Sequence, residues 1–446
     1  MWSTAFALGT LLHEWQTGQP PWTVHGLAAI AAIGVLLRPA SLPRVLVLLA
    51  VLAAELAVDL PDPWNHTVVA GMIGGGIVVW WLVQVVRFRT FSFDAGYVLR
   101  RVGPFLRVAF VLTWFLAAFA KLNTGFTNPV ATCAVWILEA VPFVTVPMPL
   151  RSFAIAGTIA LELSIPVLLF FRRTRPLAIV AGFGFHLVSA LAGHTAFSGL
   201  AWSFYLLFLP VTSVASAATV ARRATLSAYG GTRRAWVGAA AIWVLALSSL
   251  QLLPVELLTQ VKRWVPALAY IAWSAVWAAL LLRLRRHWIT AVGQPHGALQ
   301  VRHPVFIAVL CAVLLSAASP YLGSKTKYSF TMYSNLRTEP ERWNHLVVPE
   351  AVRIFYAQEG LVTFREVSDP AMSAEIAAGG GHSLVLMHAR SLAHRYPEAA
   401  VVYEWNKEIH SADPVGDDPV LGGGVSLPVE WLGGFRQVPE VDSCQH

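Results

Sequence analysis

The chemistry of this chain would come from a few ionisable residues placed in long apolar runs. Lys121 closes the apolar run from Phe105 to Ala120 and is followed by a polar, glycine-containing loop. A lysine in this place either anchors a helix by extending its ammonium to lipid headgroups or, in its neutral form, acts as a base at an apolar boundary. Ionisable residues within spans cost free energy, so each is a candidate for a functional site.

Six further polar residues interrupt or border apolar runs. Glu55 and Asp59 belong to the second predicted span, Asn65 and His66 open the next run, and Glu162 and His186 lie within two others. If consecutive runs cross a membrane in alternate directions, Asn65 and His66 reach the same boundary as Lys121. Glu162 and His186 then lie near mid-depth on consecutive helices, where a hydrogen bond between them is geometrically easy. This polar pair would support a site or act as a structural clasp, and Asn65 would alternatively cap the helix that His66 begins.

The elements that must position these residues are predicted to be transmembrane helices. Of the 446 residues, 56% are hydrophobic and 13% are charged, against about 25% charged in ordinary soluble domains. The mean hydropathy is +0.60. We predict an all-α polytopic membrane protein with about ten transmembrane helices, because stretches of spanning length recur near residues 22–37, 42–58, 66–86, 105–121, 151–171, 176–193, 197–213, 235–253, 264–282 and 303–319.

The distribution of Lys and Arg predicts the orientation. One set of alternate loops holds 18 basic residues, and the other holds only Lys121, Arg151, Lys262 and Arg263. Cytoplasmic loops keep the positive excess, so we predict a multi-pass protein of the plasma (inner) membrane with both termini outside. Arginines that face anionic lipid account for the isoelectric point of about 9.6. We therefore expect membrane lipids as partners and no nucleic acid.

The chain from Pro320 to His446 differs from the rest in composition. Its formal charge is −6, whereas residues 1–319 carry +14. It contains no stretch long and apolar enough to span, and residues 353–367 and 399–405 alternate like strands. We predict a transmembrane domain over residues 1–319 and a small exported α+β domain over residues 320–446.

Cysteine and glycine patterns add little chemistry. Only Cys133 and Cys444 share a predicted compartment, which permits a disulfide without requiring one. No spacing resembles a zinc or iron–sulfur site, and we expect no metal. Four glycines of the third span predict close helix packing rather than a phosphate-binding loop: Gly71, Gly74, Gly75 and Gly76.

Four short motifs follow one another along successive spans: Trp64-Asn65-His66-Thr67, Ala120-Lys121-Leu122-Asn123, Leu161-Glu162-Leu163-Ser164 and Phe185-His186-Leu187. In this order they resemble the vitamin K-dependent gamma-glutamyl carboxylases and their bacterial relatives, the horizontally transferred transmembrane domain (HTTM) family. The resemblance covers roughly residues 20 to 215, and residues 320–346 are similar to a segment of bacterial members.

This resemblance implies a chemistry that uses a reduced quinone, vitamin K hydroquinone or menaquinol, as cofactor. Oxygenation of the quinol generates a strong base, which removes a γ-proton from a glutamate of an exported peptide or protein so that carbon dioxide can add. Lys121 would deprotonate the quinol, while Asn65 and His66 would orient its ring oxygens. Carboxylases also carry a large lumenal part that binds the propeptide of the substrate, and the tail of this chain is much shorter.

Two hypotheses of different classes follow. The first is a quinol-dependent oxygenase or carboxylase-like enzyme at the outer membrane face, a carbon–carbon lyase or a quinol epoxidase, with Lys121, His66 and Asn65 as catalytic residues and Glu162 with His186 in support. The alternative is a non-catalytic lipid- or quinone-binding protein or a transporter, in which the exported domain serves as the recognition domain. A scaffold that only anchors the tail is a third interpretation.

Overall fold

The computed structural model describes residues 2–209 and 299–444, with gaps at 18, 20–21, 61–62, 340–341, 356, 359, 379–382, 425–433 and 439–443, and scattered positions from 254 to 282. The described part is mostly helical, with one four-stranded sheet near its C-terminal end. The predicted span at 235–253 lies outside the described residues, and the one at 264–282 is described only at some positions.

The helices described up to residue 322 are α1 (Trp2–Thr17), α2 (Val24–Leu37), α3 (Leu42–Val58), α4 (Asn65–Phe88), α5 (Ala95–Phe119), the short α6 (Thr124–Thr127) and α7 (Cys133–Glu139), α8 (Met148–Phe170), α9 (Arg175–Leu191), α10 (Thr195–Tyr205) and α11 (Pro304–Leu322). All of them except α1, α6 and α7 form where the hydrophobic runs predict them. Within the described parts of the chain, four stretches are long and apolar enough to cross a membrane: Asn65–Phe88, Gly96–Phe119, Met148–Phe170 and Pro304–Leu322. The prediction of a helical protein with apolar spans is confirmed at these positions, and the number ten stays a prediction.

Helix α1 is an element that the hydrophobic runs do not predict. It packs closely on α10, since a Cβ atom on Gly9 would lie 2.9 Å from the carbonyl carbon of Gly199. At its start, Ser3 Oγ donates a hydrogen bond to the Pro39 carbonyl (2.7 Å), in the turn between α2 and α3. Ser3 therefore lies at the end of the bundle opposite to the start of α4, and the prediction that both termini lie outside the membrane stays a prediction.

The glycines of α4 bring neighbouring helices into contact. A Cβ atom on Gly74 would lie 2.8 Å from the Leu49 carbonyl oxygen of α3. On the opposite side, a Cβ atom on Gly76 would lie 2.6 Å from Val309 Cγ2 of α11. The prediction of close helix packing at these glycines is confirmed.

Polar contacts join three helices at one end of the bundle and thereby identify the opposite end. Gln84 near the end of α4 accepts a hydrogen bond from Tyr97 Oη at the start of α5 (3.2 Å), and its amide nitrogen lies 3.3 Å from His303 Nε2 at the start of α11. These helix ends carry arginines such as Arg87 and Arg101. The start of α4 and the ends of α5 and α11 therefore lie together at the other end, which we call the site end.

The C-terminal part contains an antiparallel sheet in the order β2–β1–β3–β4: β1 is Leu361–Val367, β2 Ser383–Val385, β3 Val401–Trp405 and β4 Glu408–Ala412. Helices α12 (Pro370–Ala378) and α13 (Leu386–Arg395) accompany it. Their joint core includes Phe364, Leu384, Leu392 and Tyr403. The predicted strands are confirmed for residues 361–367 and 401–405, and residues 353–360 precede the first strand.

The tail is bonded to the site end of the bundle. A disulfide joins Cys133, at the start of α7, to Cys444, 311 residues later. Asn335 Oδ1 accepts a hydrogen bond from the Cys133 amide (2.8 Å), and Asn123 Nδ2 donates one to the Ser334 carbonyl (2.6 Å). The disulfide that the sequence only permits is formed, and it fixes the tail beside the helices that surround Lys121.

Candidate functional site

A narrow cavity of about 80 Å³ lies inside the site end of the bundle. Its apolar wall includes Phe110 of α5 and Phe204 of α10, whose rings stack at 5.2 Å, together with Trp114. Polar side chains gather on the remaining wall: Asn65, His66, Thr113, Lys121, Glu162, Ser189, His194 and Tyr333. The structure thus brings four of the five predicted site residues to one cavity: Asn65, His66, Lys121 and Glu162.

Lys121 and Glu162 form a buried ion pair on this wall. Nζ of Lys121 lies 2.7 Å from Oε2 of Glu162, and the two side chains are only 6% and 4% exposed. Nζ also donates to the Ala117 carbonyl (3.3 Å) and lies 5.9 Å from the ring centroid of Phe126. The ammonium therefore does not extend to lipid headgroups, and the interpretation of Lys121 as an interfacial anchor is wrong.

The hydrogen bond predicted between Glu162 and His186 is not formed. His186 is fully buried, and neither of its ring nitrogens has a hydrogen-bond partner among the described residues. Aromatic rings surround it instead, with the centroids of Trp114 and Phe197 both at 5.4 Å. A buried carboxylate needs a charged partner, and Lys121 supplies it, so Glu162 faces the cavity while His186 packs outside its lining.

Asn65 and His66 face two different neighbours. Trp64, not Asn65, occupies the N-cap position of α4, so the alternative of Asn65 as a cap is wrong. Asn65 Oδ1 instead accepts a hydrogen bond from the Phe330 amide (3.1 Å). His66 is buried, and its Nε2 lies 2.8 Å from Nδ1 of His13 in α1.

Residues 328–335, which we call the cap segment, close the cavity from the side of the tail. Four non-glycine residues in it have left-handed backbones, Tyr328, Phe330, Tyr333 and Asn335, with φ of 56°, 62°, 53° and 53°. Such conformations are uncommon for L-residues, cost free energy and cluster at functional sites. Two of the four, Phe330 and Tyr333, line the cavity.

Arg436 holds the cap segment from behind. Its guanidinium is buried and donates hydrogen bonds to the carbonyls of Leu336 (3.1 Å) and Thr331 (2.9 Å). Burial lowers the pKa of this guanidinium to about 10. A residue 100 positions further along the chain than Leu336 therefore supports the strained backbone, a contact that no local pattern indicates.

His194 is a cavity residue that the sequence motifs miss. It lies between α9 and α10, and its Nδ1 is 2.8 Å from Oη of Tyr333 in the cap segment. Burial raises the pKa of the Tyr333 phenol, which keeps the hydroxyl protonated as a partner for the imidazole. Gly193 beside it, with φ of 101°, marks the helix break that could have drawn attention to this histidine.

A second polar cluster adjoins the cavity through His66. It contains His13 and Glu14 of α1, His25 of α2 and Glu55 of α3, all buried. Of these, His25 and Glu55 fall inside the predicted spans at 22–37 and 42–58, whereas His13 and Glu14 precede the first predicted span.

Comparison with protein-family models, with curated proteins and with solved structures finds no match for this chain. The case for a function therefore depends on the cavity and on the motifs that line it.

Proposed function

We propose that this chain is an integral membrane protein of the vitamin K-dependent gamma-carboxylase-like (HTTM) family, which binds a quinol in the cavity and carries out quinol-dependent oxygenase or carboxylase-like chemistry. The observation that carries the proposal is the buried ion pair of Lys121 and Glu162 on the wall of an apolar cavity. All four motifs that resemble the family contribute at least one residue to the lining of this cavity: Asn65 and His66, Lys121, Glu162, and Phe185.

The chemistry of the lining suits a flat ring with polar edges. Stacked and edge-on aromatic rings from Phe110, Trp114 and Phe204 offer faces to a quinol. Polar groups at the site end, among them Lys121 and His66, would contact the ring oxygens. A few convergent polar groups in an apolar pocket are typical of small-molecule sites.

Proton transfer within the ion pair would convert Lys121 to its neutral, basic form. Two charges held away from water carry a desolvation cost, and transfer of a proton from Lys121 Nζ to Glu162 Oε2 removes both charges over 2.7 Å. A quinol that fills the cavity would displace water and favour the neutral pair. The free amine of Lys121 could then take the proton of a quinol hydroxyl, with Glu162 as its proton partner.

Other features support a site at the outer face of the plasma (inner) membrane. Disulfides persist in oxidising compartments, and the bond between Cys133 and Cys444 lies at the site end. The arginine-rich helix ends lie at the other end, as the positive-inside rule requires for an outward-facing site. An exported peptide or protein substrate would approach from the side of residues 320–446.

The test is oxygen consumption by the detergent-purified protein with menaquinol or vitamin K hydroquinone. General bases contribute about 10²- to 10⁴-fold to rates, so we expect Lys121→Met to lose at least about 100-fold in turnover while it still binds quinone. Glu162→Gln should lose turnover as well. Arg151→Met is the matched control, because Arg151 belongs to a partly exposed ion pair with Glu139 (3.1 Å) outside the cavity. Full activity of Lys121→Met would exclude the proposed role.

The second candidate is a non-catalytic lipid- or quinone-binding protein or a transporter. It is favoured by the pairing of Lys121, whose ammonium is engaged by Glu162 rather than held free. In this case the parent protein shows saturable quenching of its tryptophan fluorescence by quinone without oxygen consumption, and Lys121→Met changes only the affinity. Saturable binding in either case excludes the scaffold interpretation.

A further inference from the structure

The ends of α1, α2 and α3 at the site end form a compact set of ligand atoms. His13 and Glu14 come from the last turns of α1, His25 from the first turn of α2, and Glu55 from the last turn of α3. One nitrogen or oxygen atom from each of the four lies within 4.8 Å of the others. We propose that His13, Glu14, His25 and Glu55 bind a divalent transition-metal ion of the class of Zn²⁺.

Three distances within the cluster are close to the ligand spacing around a tetrahedral ion. Zn²⁺ bonds to imidazole nitrogen and carboxylate oxygen of about 2.0–2.1 Å place tetrahedral ligand atoms about 3.4 Å apart. His13 Nε2 lies 3.0 Å from Glu55 Oε1, and His25 Nδ1 lies 3.2 Å from Glu14 Oε2 and 3.7 Å from Glu55 Oε1. Two neutral imidazoles and two carboxylates also bring two negative charges, which one divalent cation neutralises.

Hydrogen bonds within the cluster do not satisfy its buried atoms. A bond between His13 and Glu55 accounts for one nitrogen and one oxygen. Oε1 of Glu14 and Oε2 of Glu55 have no hydrogen-bond partner among the described residues, and Oε2 of Glu14 has only the ion-pair contact with His25 Nδ1 at 3.2 Å. The side chains of Glu14 and Glu55 are 1% and 0% exposed. Buried carboxylates of this kind are paired or coordinate metals.

The second nitrogen of each histidine is engaged as in known metal sites. His25 Nε2 lies 3.2 Å from Asp59 Oδ1, and His13 Nδ1 lies 2.8 Å from His66 Nε2. Partners on the non-coordinating nitrogen fix the tautomer and the ring orientation of a ligand histidine. Asp59 is 16% exposed, so the cluster has a polar approach from the surface.

Four protein ligands leave no open position, which is the arrangement of structural rather than catalytic zinc sites. The ion would therefore join three helix ends. It would also fix His13, which in turn orients His66 on the cavity wall. This role is independent of any quinol chemistry.

The experiment is metal binding by the purified full chain. After incubation with Zn²⁺ and desalting, we expect one ion per chain by elemental mass spectrometry. After replacement with Co²⁺, the visible bands of a tetrahedral site should appear. Glu14→Gln and His25→Gln should each lose the bound ion, while His394→Gln, which removes an exposed histidine of α13, should keep it.

The Co²⁺ spectrum is read on the parent protein, so the test does not depend on the folding of any variant. Metal content no higher than that of the desalting buffer, with no visible band, would overturn the proposal. So would a parent protein whose bound ion survives both cluster substitutions, since the ion would then be elsewhere.

Discussion

The ion pair between Lys121 and Glu162 permits a quantitative prediction. At 2.7 Å and an effective permittivity of about 20, two unit charges attract each other by about 6 kcal/mol. Part of this attraction is offset by the desolvation of both groups, but removal of one partner leaves the other charge buried and alone, at a cost of about 3–5 kcal/mol. We therefore expect Lys121→Met and Glu162→Leu each to lower the free energy of unfolding by about this amount.

The double substitution should behave differently from the sum of the two single ones. It removes both charges and leaves apolar side chains in an apolar wall, so we expect a stability within about 1–2 kcal/mol of the parent. The coupling energy from the cycle should then be about 3 kcal/mol or more. Unfolding in mixed micelles with rising dodecyl sulfate, followed by the fluorescence of the 18 tryptophans, measures all four proteins.

A matched cycle on Arg151 and Glu139 supplies the control. Their side chains are 21% and 32% exposed, and exposed ion pairs contribute about 0–1 kcal/mol. A coupling energy below about 0.5 kcal/mol for Lys121 and Glu162, equal to that of the control, would refute the buried ion pair.

Two further predictions concern the tail. The disulfide between Cys133 and Cys444 closes a loop of 311 residues. We therefore expect Cys444→Ser to lower the free energy of unfolding by about 2–5 kcal/mol. In the micelle titration, a reductant should lower the free energy of unfolding of the parent by the same amount and leave that of the variant unchanged. Burial lowers the pKa of Lys325 from 10.5 to about 8. The unfolded chain therefore binds more protons between these pH values, and the free energy of unfolding should rise with pH from about 8 to 10.5, by at most about 3 kcal/mol. Titrations at several pH values measure this rise, and Lys325→Met should lack it.

The sequence predicts the helices well because apolar composition over one span is a local property. The runs at 42–58 and 151–171 become Leu42–Val58 and Met148–Phe170 almost unchanged. Helix α1 escapes prediction because His13 and Glu14 interrupt its apolar stretch. Their burial depends on α2, α3 and α4, which bring His25, Glu55 and His66 to the same place.

The sequence predicts that Lys121 and His66 lie at a similar level, but it predicts neither the ion pair of Glu162 with Lys121 nor the other contacts of the site. Counting residues along a helix gives height, at about 1.5 Å per residue, and this places Lys121 level with His66. Direction around the helix axis changes by about 100° per residue and is fixed by packing between helices. Depth alone therefore pairs Glu162 with His186, whereas in the structure Glu162 faces Lys121. The contact of Asn65 with Phe330 joins residues 265 positions apart and has no local signal.

The cap segment has a consequence for the order in which this protein becomes complete. Phe330 and Tyr333 close a cavity whose other walls come from helices translated earlier. The covalent bond that fastens the tail to α7 involves Cys444, which is translated later still. An emerging chain with all these helices inserted would thus have an open, water-filled cleft around Lys121 and Glu162. Ligand affinity should appear only after the tail has docked, and oxidative folding of the tail becomes the step that matures the site.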